Sequence, residues 1–386
     1  MNFELDRAQK QIQKAVKDFI KGEFDRETIE GLLFEHQFPE SIWKKAGDLG
    51  LLGMQYPEDL SGQGLGLIET VLVAEALCRG DSSVGICLSR AALGAELLLH
   101  YGDPAQKKKW LPLLAESRIL SCAAIAEPGV GNDITRCRTT ARKEGQDWVI
   151  EGIKTFVINA GPMAGFYLVL CRTDSDAKDS QNVFTILLVE TDRAGIETSD
   201  MGPRIGAWLL PVKQVHFNRV RVPEKNVLGK VNNGFKQITA YMSESQISAA
   251  AQCVGVALGA FDRAQKWVRQ REQFGQKLVH FQITRQKLSD MATRIESART
   301  LTYQAAWFHD TGHGKPGRSA MVKLLAAKTA VSVCDEAIQL LGGYGYIQEY
   351  EVERFFRDAK FLEAFDGNSI TLKETIAEEL AKGKTL

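Results

Sequence analysis

Two stretches of this 386-residue chain have residue types and spacings that could do chemistry. The first is Ala126-Glu127-Pro128-Gly129-Val130-Gly131-Asn132-Asp133. Its Glu-Pro-Gly stops any helix arriving from 117–124. Gly131-Asn132-Asp133 then makes a second turn from residue types that tolerate left-handed or Asx geometry. Such a loop points backbone N–H groups outward and suits the edge of a flat polar ligand; a plain turn between domains is the competing reading. The second stretch runs from Pro57 to Gly66, with glycines at 62, 64 and 66, like a phosphate-binding glycine loop. It follows a helix and no strand, so it lacks the context of a dinucleotide fingerprint and reads as a structural turn.

Other reactive residue types are dispersed. Seven cysteines (78, 87, 122, 137, 171, 253 and 334) show no CxxC spacing. They fit reduced thiols in a cytoplasmic protein, not a disulfide framework or a zinc site. Cys253 reads as a small buried apolar residue. His309 and His313 have the spacing of a helical metal pair, but they fall in a loop rich in Gly with no third ligand nearby, and no metal is expected. Lys107-Lys108-Lys109 reads as a solvated helix face, with docking of an acidic carrier protein as the alternative.

Composition limits the function classes. Lys+Arg and Asp+Glu both number 48, so no net basic field recruits nucleic acid or an anionic membrane. The N-terminus lacks a basic and then apolar start, so no signal peptide is expected, and no apolar run reaches the length of a membrane span.

The elements that must position these residues fall into three blocks. Residues 1 to about 115 carry helical apolar spacing: 6–21, a helix starting at Phe38-Pro39-Glu40, 69–79, 89–101 and 105–115 after Asp103-Pro104. After Pro128 come short runs rich in β-branched and aromatic residues, at 139–142, 148–153, 155–158, 166–170, 183–189 and 215–222, with a polar hairpin loop at 174–180. From Gly234 the chain returns to long helices at 234–271, 281–311, 316–341, 350–361 and 369–382. The expected fold is α+β and multidomain: an N-terminal helical bundle (1–119), a middle antiparallel β domain (120–228) and a C-terminal four-helix bundle (229–386).

Within that order the chain resembles the acyl-CoA dehydrogenase family of flavoproteins. The matching landmarks are Pro57-Glu58 with its glycine turn, 126–133, 152–159, Val222-Pro223 through Gly229, Gly234-Phe235, Arg271-Glu272-Gln273-Phe274-Gly275, Gln339 through Gly345, and Arg357-Asp358. They keep the family's order across nearly the whole chain. The resemblance implies a homotetramer that binds FAD. It places the backbone of Ile125, Ala126, Gly131 and Asn132 at the flavin's pyrimidine edge. Phe156, at a position usually held by Trp, would stack near the ring; Ile158 would lie near it. Arg271 and Phe274 would reach the cofactor from a neighbouring subunit, Gln339 and Gly343 would contact the same dinucleotide, and Asn368 joins the cofactor set.

The departures from the family pattern carry information. Ala126 and Ile158 replace hydroxyl-bearing residues, Leu209-Leu210-Pro211-Val212 replaces a Ser/Thr stretch, Gln246 stands where many members have Arg, and 370–372 is Ile-Thr-Leu. These put a CoA ester in doubt and favour a phosphopantetheine thioester on a carrier protein. Thioester dehydrogenation needs a carboxylate to take the α-proton. Two positions compete for it: Glu244, in Met242-Ser243-Glu244-Ser245, one residue before Ser245, which an ungapped count from Phe274 places at the base position of an isovaleryl-CoA dehydrogenase-like lineage, and Asp366, aligned with the Glu-Gly of most members. Asp81 and Arg90 are further candidates for the acyl end. The combination resembles the subfamily that oxidises prolyl groups on a carrier protein, giving a pyrroline-type carboxyl thioester. Oxidation of a short-chain or alicyclic acyl-CoA with Asp366 as base, and a non-catalytic flavin-poor relative, are the alternatives. The electron acceptor is an electron-transfer flavoprotein or O₂.

Overall fold

The computed structural model describes residues 4–173 and 181–383, and the polar loop expected at 174–180 lies outside them. The first block is helical: α1 (Arg7–Glu23), α2 (Arg26–Glu35), α3 (Glu40–Asp48), α4 (Leu67–Gly80), α5 (Ser82–Ser89), α6 (Ala95–Tyr101) and α7 (Pro104–Ala115). Side-chain caps set several starts. Asp6 and Gln9 form a reciprocal capping box at α1, Asp103 and Gln106 another at α7, and Asp25 caps α2.

The single helix expected over 89–101 is broken. Its middle leaves the helix at Arg90 and re-enters after Gly94, whose φ of 88° needs a residue without a Cβ. The freed backbone pairs elsewhere: Ser121 N donates to Ala91 O at 3.2 Å, and Asn159 Nδ2 donates to Arg90 O, Ala91 O and Ser121 O at 2.6, 3.2 and 2.9 Å. That break aims Arg90 and Glu96 at the interior.

The glycine-rich stretch before α4 is a packing turn, as its context implied. A Cβ on Gly62 would lie 1.9 Å from Tyr56 O. The N-terminus of α4 already holds an anion, because the Asp310 carboxylate accepts from Leu67 N (2.8 Å) and Ile68 N (3.0 Å).

The middle block contains β1 (Leu120–Ala124), β2 (Thr140–Glu144), β3 (Asp147–Ile158), β4 (Ala164–Arg172), β5 (Phe184–Glu190), β6 (Ile196–Asp200) and β7 (Val212–Pro223). Their order is β1-β4-β2-β3-β7-β6, with β5 also on β4. No helix arrives from 117–124; its apolar end is strand β1, which runs parallel to β4. A single parallel pair also joins β2 to β4, so the sheet is mixed although most of its ladders are antiparallel. The runs 148–153 and 155–158 are one strand. Register shifts beside Gly152 and between Lys154 and Val157 bend it, and Phe156 sits in the second bulge at φ 51°.

The last block comprises α8 (Gly234–Gln270), the hairpin β8 (Glu272–Gln273) and β9 (Gln276–Lys277), α9 (Gln282–Asp310), α10 (Pro316–Leu341), α11 (Val352–Ala364) and α12 (Ser369–Ala381). Helix α10 packs on α8, α9, α11 and α12, and α4 of the first block packs on α8. Helix α8 is buried on every side from Glu244 to Ala257, the behaviour of a central helix between layers. All seven cysteines are buried free thiols. Among the described residues no helix is long and apolar enough to cross a membrane.

Candidate active site

Helix α8 carries the centre of the site. Consecutive helical residues point about 100° apart, so Glu244 and Ser245 meet different neighbours. Glu244 is buried, and three side chains from three elements converge on its carboxylate. Gln55 Nε2 donates to Oε1 at 2.9 Å, His100 Nε2 lies 3.0 Å from Oε2, and His309 Nε2 lies 3.8 Å from Oε2. Burial alone would raise the Glu244 carboxyl, but the His100 hydrogen bond and charge, then His309 and Gln55, bring it below the usual carboxylate value. The same contact raises His100, and the Asp310 carboxylate, 3.6 Å from His309 Nδ1, raises His309. His309 belongs to the last turn of α9 and enters the site, a correction to its assignment as a loop residue; only His313 is in the loop.

Ser245 turns to the other candidate carboxylate. Its hydroxyl donates to Asp366 Oδ2 at 2.6 Å, and Arg90 NH2 lies 3.4 Å from the same oxygen. Arg90 also donates to Ser245 Oγ (3.0 Å) and Gln252 Oε1 (3.1 Å), and its guanidinium lies 4.7 Å from the Phe365 ring centroid. Gln246, at the position where many relatives place Arg, donates to Asp366 O at 3.2 Å. Asp366 is therefore neutralised by a fixed cation, whereas Glu244 is held by imidazoles that can exchange a proton. Asp81, the other candidate for the acyl end, instead caps α5 and pairs with Arg354 at 2.7 Å.

A cavity of about 70 Å³ lies beside Gln55, the partner of Glu244; Gln55, Tyr56, Arg90, Glu96, Ser248 and Gln252 form its polar wall, and Leu51, Leu52, Met54, Val73, Leu77 and Leu88 its apolar one. Glu96, from α6, brings a second carboxylate beside Glu244. Burial, then the Glu244 charge, pushes its carboxyl up to about 7. Neither Gln55 nor Glu96 was singled out from the sequence. The one signal for Glu96 was a lone charge in an apolar stretch just after Gly94.

The 126–133 loop is anchored from beneath. Lys154, fully buried, donates to Glu127 Oε1 at 2.8 Å and to Ile125 O at 3.0 Å. Glu127 also accepts from Arg138 N and Thr139 N, and Thr155 N donates to Ala126 O at 2.9 Å. The carbonyls of Ile125 and Ala126 thus point inward. In planar trans peptides the N–H groups of Ala126 and Glu127 must then point the opposite way. Gly129 and Gly131 turn the loop through left-handed backbone (φ 75° and 63°), Asn132 beside them is exposed without that conformation, and open space surrounds Gly131. Phe156 is 63 % exposed between the buried Thr155 and Val157, a flat apolar face on the strand surface. This set fits a flavin, with N–H groups for a polar edge and a ring to stack on. Ile158 differs from expectation: it is buried in the same core cluster as Leu209 and Leu210, so its side chain offers no surface. Asn368 accepts from Ile370 N and Thr371 N as the N-cap of α12.

The remaining predicted residues gather at the far end of α8. Arg271 follows that helix and its guanidinium lies 5.6 Å from the Tyr344 ring centroid; Tyr344 packs on Trp267 at 5.0 Å. Gln339 and Gly343 are exposed there, and Phe274, at the hairpin tip, is 94 % exposed. At about 1.5 Å per residue, Arg271 lies roughly 40 Å along the helix from Glu244. Within one chain this set does not meet the first.

Comparison with known proteins gives matches along the whole chain. Residues 6–118, 122–220 and 232–381 match the N-terminal, middle and C-terminal domains of acyl-CoA dehydrogenases. A probable acyl-CoA dehydrogenase of Bacillus subtilis is 36 % identical over 383 residues, covering 99 % of this chain and 100 % of the relative. The cyclohexane-1-carbonyl-CoA dehydrogenase of Geobacter metallireducens is 37 % identical over 87 % of both chains. Among solved structures, the prolyl acyl carrier protein oxidase AnaB superposes with a TM-score of 0.90 at 27 % identity, over 98 % of this chain and 100 % of that one.

Proposed function

From the premise that this chain belongs to the acyl-CoA dehydrogenase family, and is an FAD-dependent oxidoreductase acting on acyl thioesters, we propose that its substrate is an L-prolyl group on the phosphopantetheine arm of a carrier protein. The product is a pyrroline-carboxyl thioester. The observation that carries this reading is the polar wall of the cavity that Gln55, hydrogen-bonded to Glu244, helps to line. Glu96 Oε2 and Gln252 Nε2, buried without partners among the described residues, suit a nitrogen-containing ring, where an alkyl chain would leave them unpaired. The similarity to AnaB and the position of Gln246 support the carrier-protein arm over a CoA nucleotide.

In this reading Glu244 takes the proton from the acyl group, and Gln55 fixes its orientation. A proton on Oε2 has His100 Nε2 at 3.0 Å, and the His100 side chain is 46 % exposed, which gives the proton a route to solvent. FAD, when bound, supplies the hydride acceptor. Ile125, Ala126, Gly131, Asn132, Phe156, Ile158 and Asn368 of one subunit would hold it, Ile158 through its backbone. Arg271, Phe274, Gln339 and Gly343 would come from a neighbour in a homotetramer; the 40 Å span of α8 supports that division. Three domains at 1–119, 120–228 and 229–386, a cytoplasmic location, and an electron-transferring flavoprotein or O₂ as final acceptor complete the proposal.

Mass spectrometry of the loaded carrier protein tests it. A loss of two hydrogens from prolyl-carrier, and none from CoA esters, is the expected outcome. Turnover of CoA esters alone transfers the reading to an alicyclic acyl-CoA with Asp366 as base, which the Geobacter relative favours. The pH profile supplies a separate check. His100→Ala removes the main contact that lowers Glu244 and leaves burial, which raises it. The acid limb of kcat/KM should therefore move to higher pH than in the wild type; an unmoved limb would detach His100 from the base.

A further inference from the structure

We propose that Glu96 binds a positively charged nitrogen of the acyl group, so that the cavity selects a cationic ring over a neutral ring of the same shape. This rests on the reading that the substrate is a cyclic aminoacyl thioester and names the contact that would recognise it. Glu96 Oε2 is buried and has no hydrogen-bond partner among the described residues. A buried carboxylate oxygen left unpaired is costly, and a ligand that supplies a donor relieves the cost.

The neighbouring groups are already engaged. Arg90 faces Glu96 but is ion-paired with Asp366 at 3.4 Å and donates to Ser245 and Gln252, with its Nη2 making no hydrogen bond among the described residues. His100 and His309 attend Glu244. Tyr56 and Tyr241 sit close by as buried phenols that burial holds neutral. Of the three carboxylates here, Asp366 has Arg90 and Glu244 has His100 and His309, whereas Glu96 Oε2 has no partner among the described residues, so a cation on the ligand would be its counter-charge. Gln252 Nε2, in the same wall, is also buried without a partner and leaves a donor for an acceptor on the ligand. A saturated hydrocarbon ring satisfies neither atom.

The test uses the FAD-loaded enzyme and two unreactive pantetheine thioethers. One carries a pyrrolidin-2-ylmethyl group, cationic at neutral pH; the other carries cyclopentylmethyl. Calorimetric Kd values for the wild type should favour the cation by about tenfold or more, as one charge-assisted hydrogen bond supplies. Glu96→Gln should bring the two ligands within about twofold, with FAD content unchanged. Equal binding by the wild type overturns the inference whether or not the variant folds, and so does a preference that survives Glu96→Gln. The two readings fail separately. Cation preference without oxidation of prolyl-carrier sinks the substrate assignment alone; oxidation of prolyl-carrier without cation preference sinks the role of Glu96 alone.

Discussion

Glu244→Gln lowers the rate of flavin reduction by substrate about 10³-fold, within the range a positioned general base supplies, while FAD stays bound. Glutamine keeps the volume and can still accept from Gln55 and meet His100, so the site retains its shape and loses only the proton acceptor. Anaerobic stopped-flow absorbance is the measurement. Asp366→Asn is the control, and it fails differently: it strips the counter-charge from buried Arg90, so its main effect is on stability. Full activity in Glu244→Gln, with the loss appearing in Asp366→Asn beyond what unfolding explains, would reassign the base.

Lys154→Met should be the most damaging change outside the catalytic centre. Lys154 is fully buried, and its partner Glu127 also accepts from two backbone N–H groups. Removing the cation leaves a buried carboxylate uncompensated, a loss of about 3–5 kcal/mol. It also frees the Ile125 carbonyl, so the loop that presents the Ala126 and Glu127 N–H groups loses its anchor. Urea unfolding together with the FAD content of the purified protein gives the readout. The double change Lys154→Met with Glu127→Gln should recover part of the stability, since it removes both charges, but not the FAD content. Wild-type stability in Lys154→Met would show that the pair contributes nothing.

The parts of this molecule legible in the sequence are those set by local rules. Asp6 and Asp103 announce α1 and α7, and the long periodic runs after Gly234 give the C-terminal helices to within a few residues. What escaped was set by contacts distant in sequence. Helical spacing across 89–101 is genuine, yet backbone pairing with Ser121 and Asn159 overrides it at Arg90–Gly94. Glu96 was hidden inside that supposed continuous helix. Gly312, Gly314 and Pro316 made His309 look like a loop residue, although α9 continues through Asp310. Gln55 carries no local signature; only its contact with Glu244, 189 residues away, gives it meaning. The 126–133 loop was recognisable from residue types, but its support, Lys154, became evident only once β3 was placed beneath it.

The seven buried thiols have a consequence for how the protein's breathing can be followed. Burial raises every one of them, Cys78 and Cys87 in the first block, Cys122, Cys137 and Cys171 in the middle block, Cys253 and Cys334 in the last block. A thiol of this kind reacts only when its surroundings open. Each layer therefore carries its own clock for local unfolding, and alkylation at Cys122 or Cys171 timed against Cys253 would separate opening of the sheet beneath the cofactor loop from opening of the helix that bears Glu244.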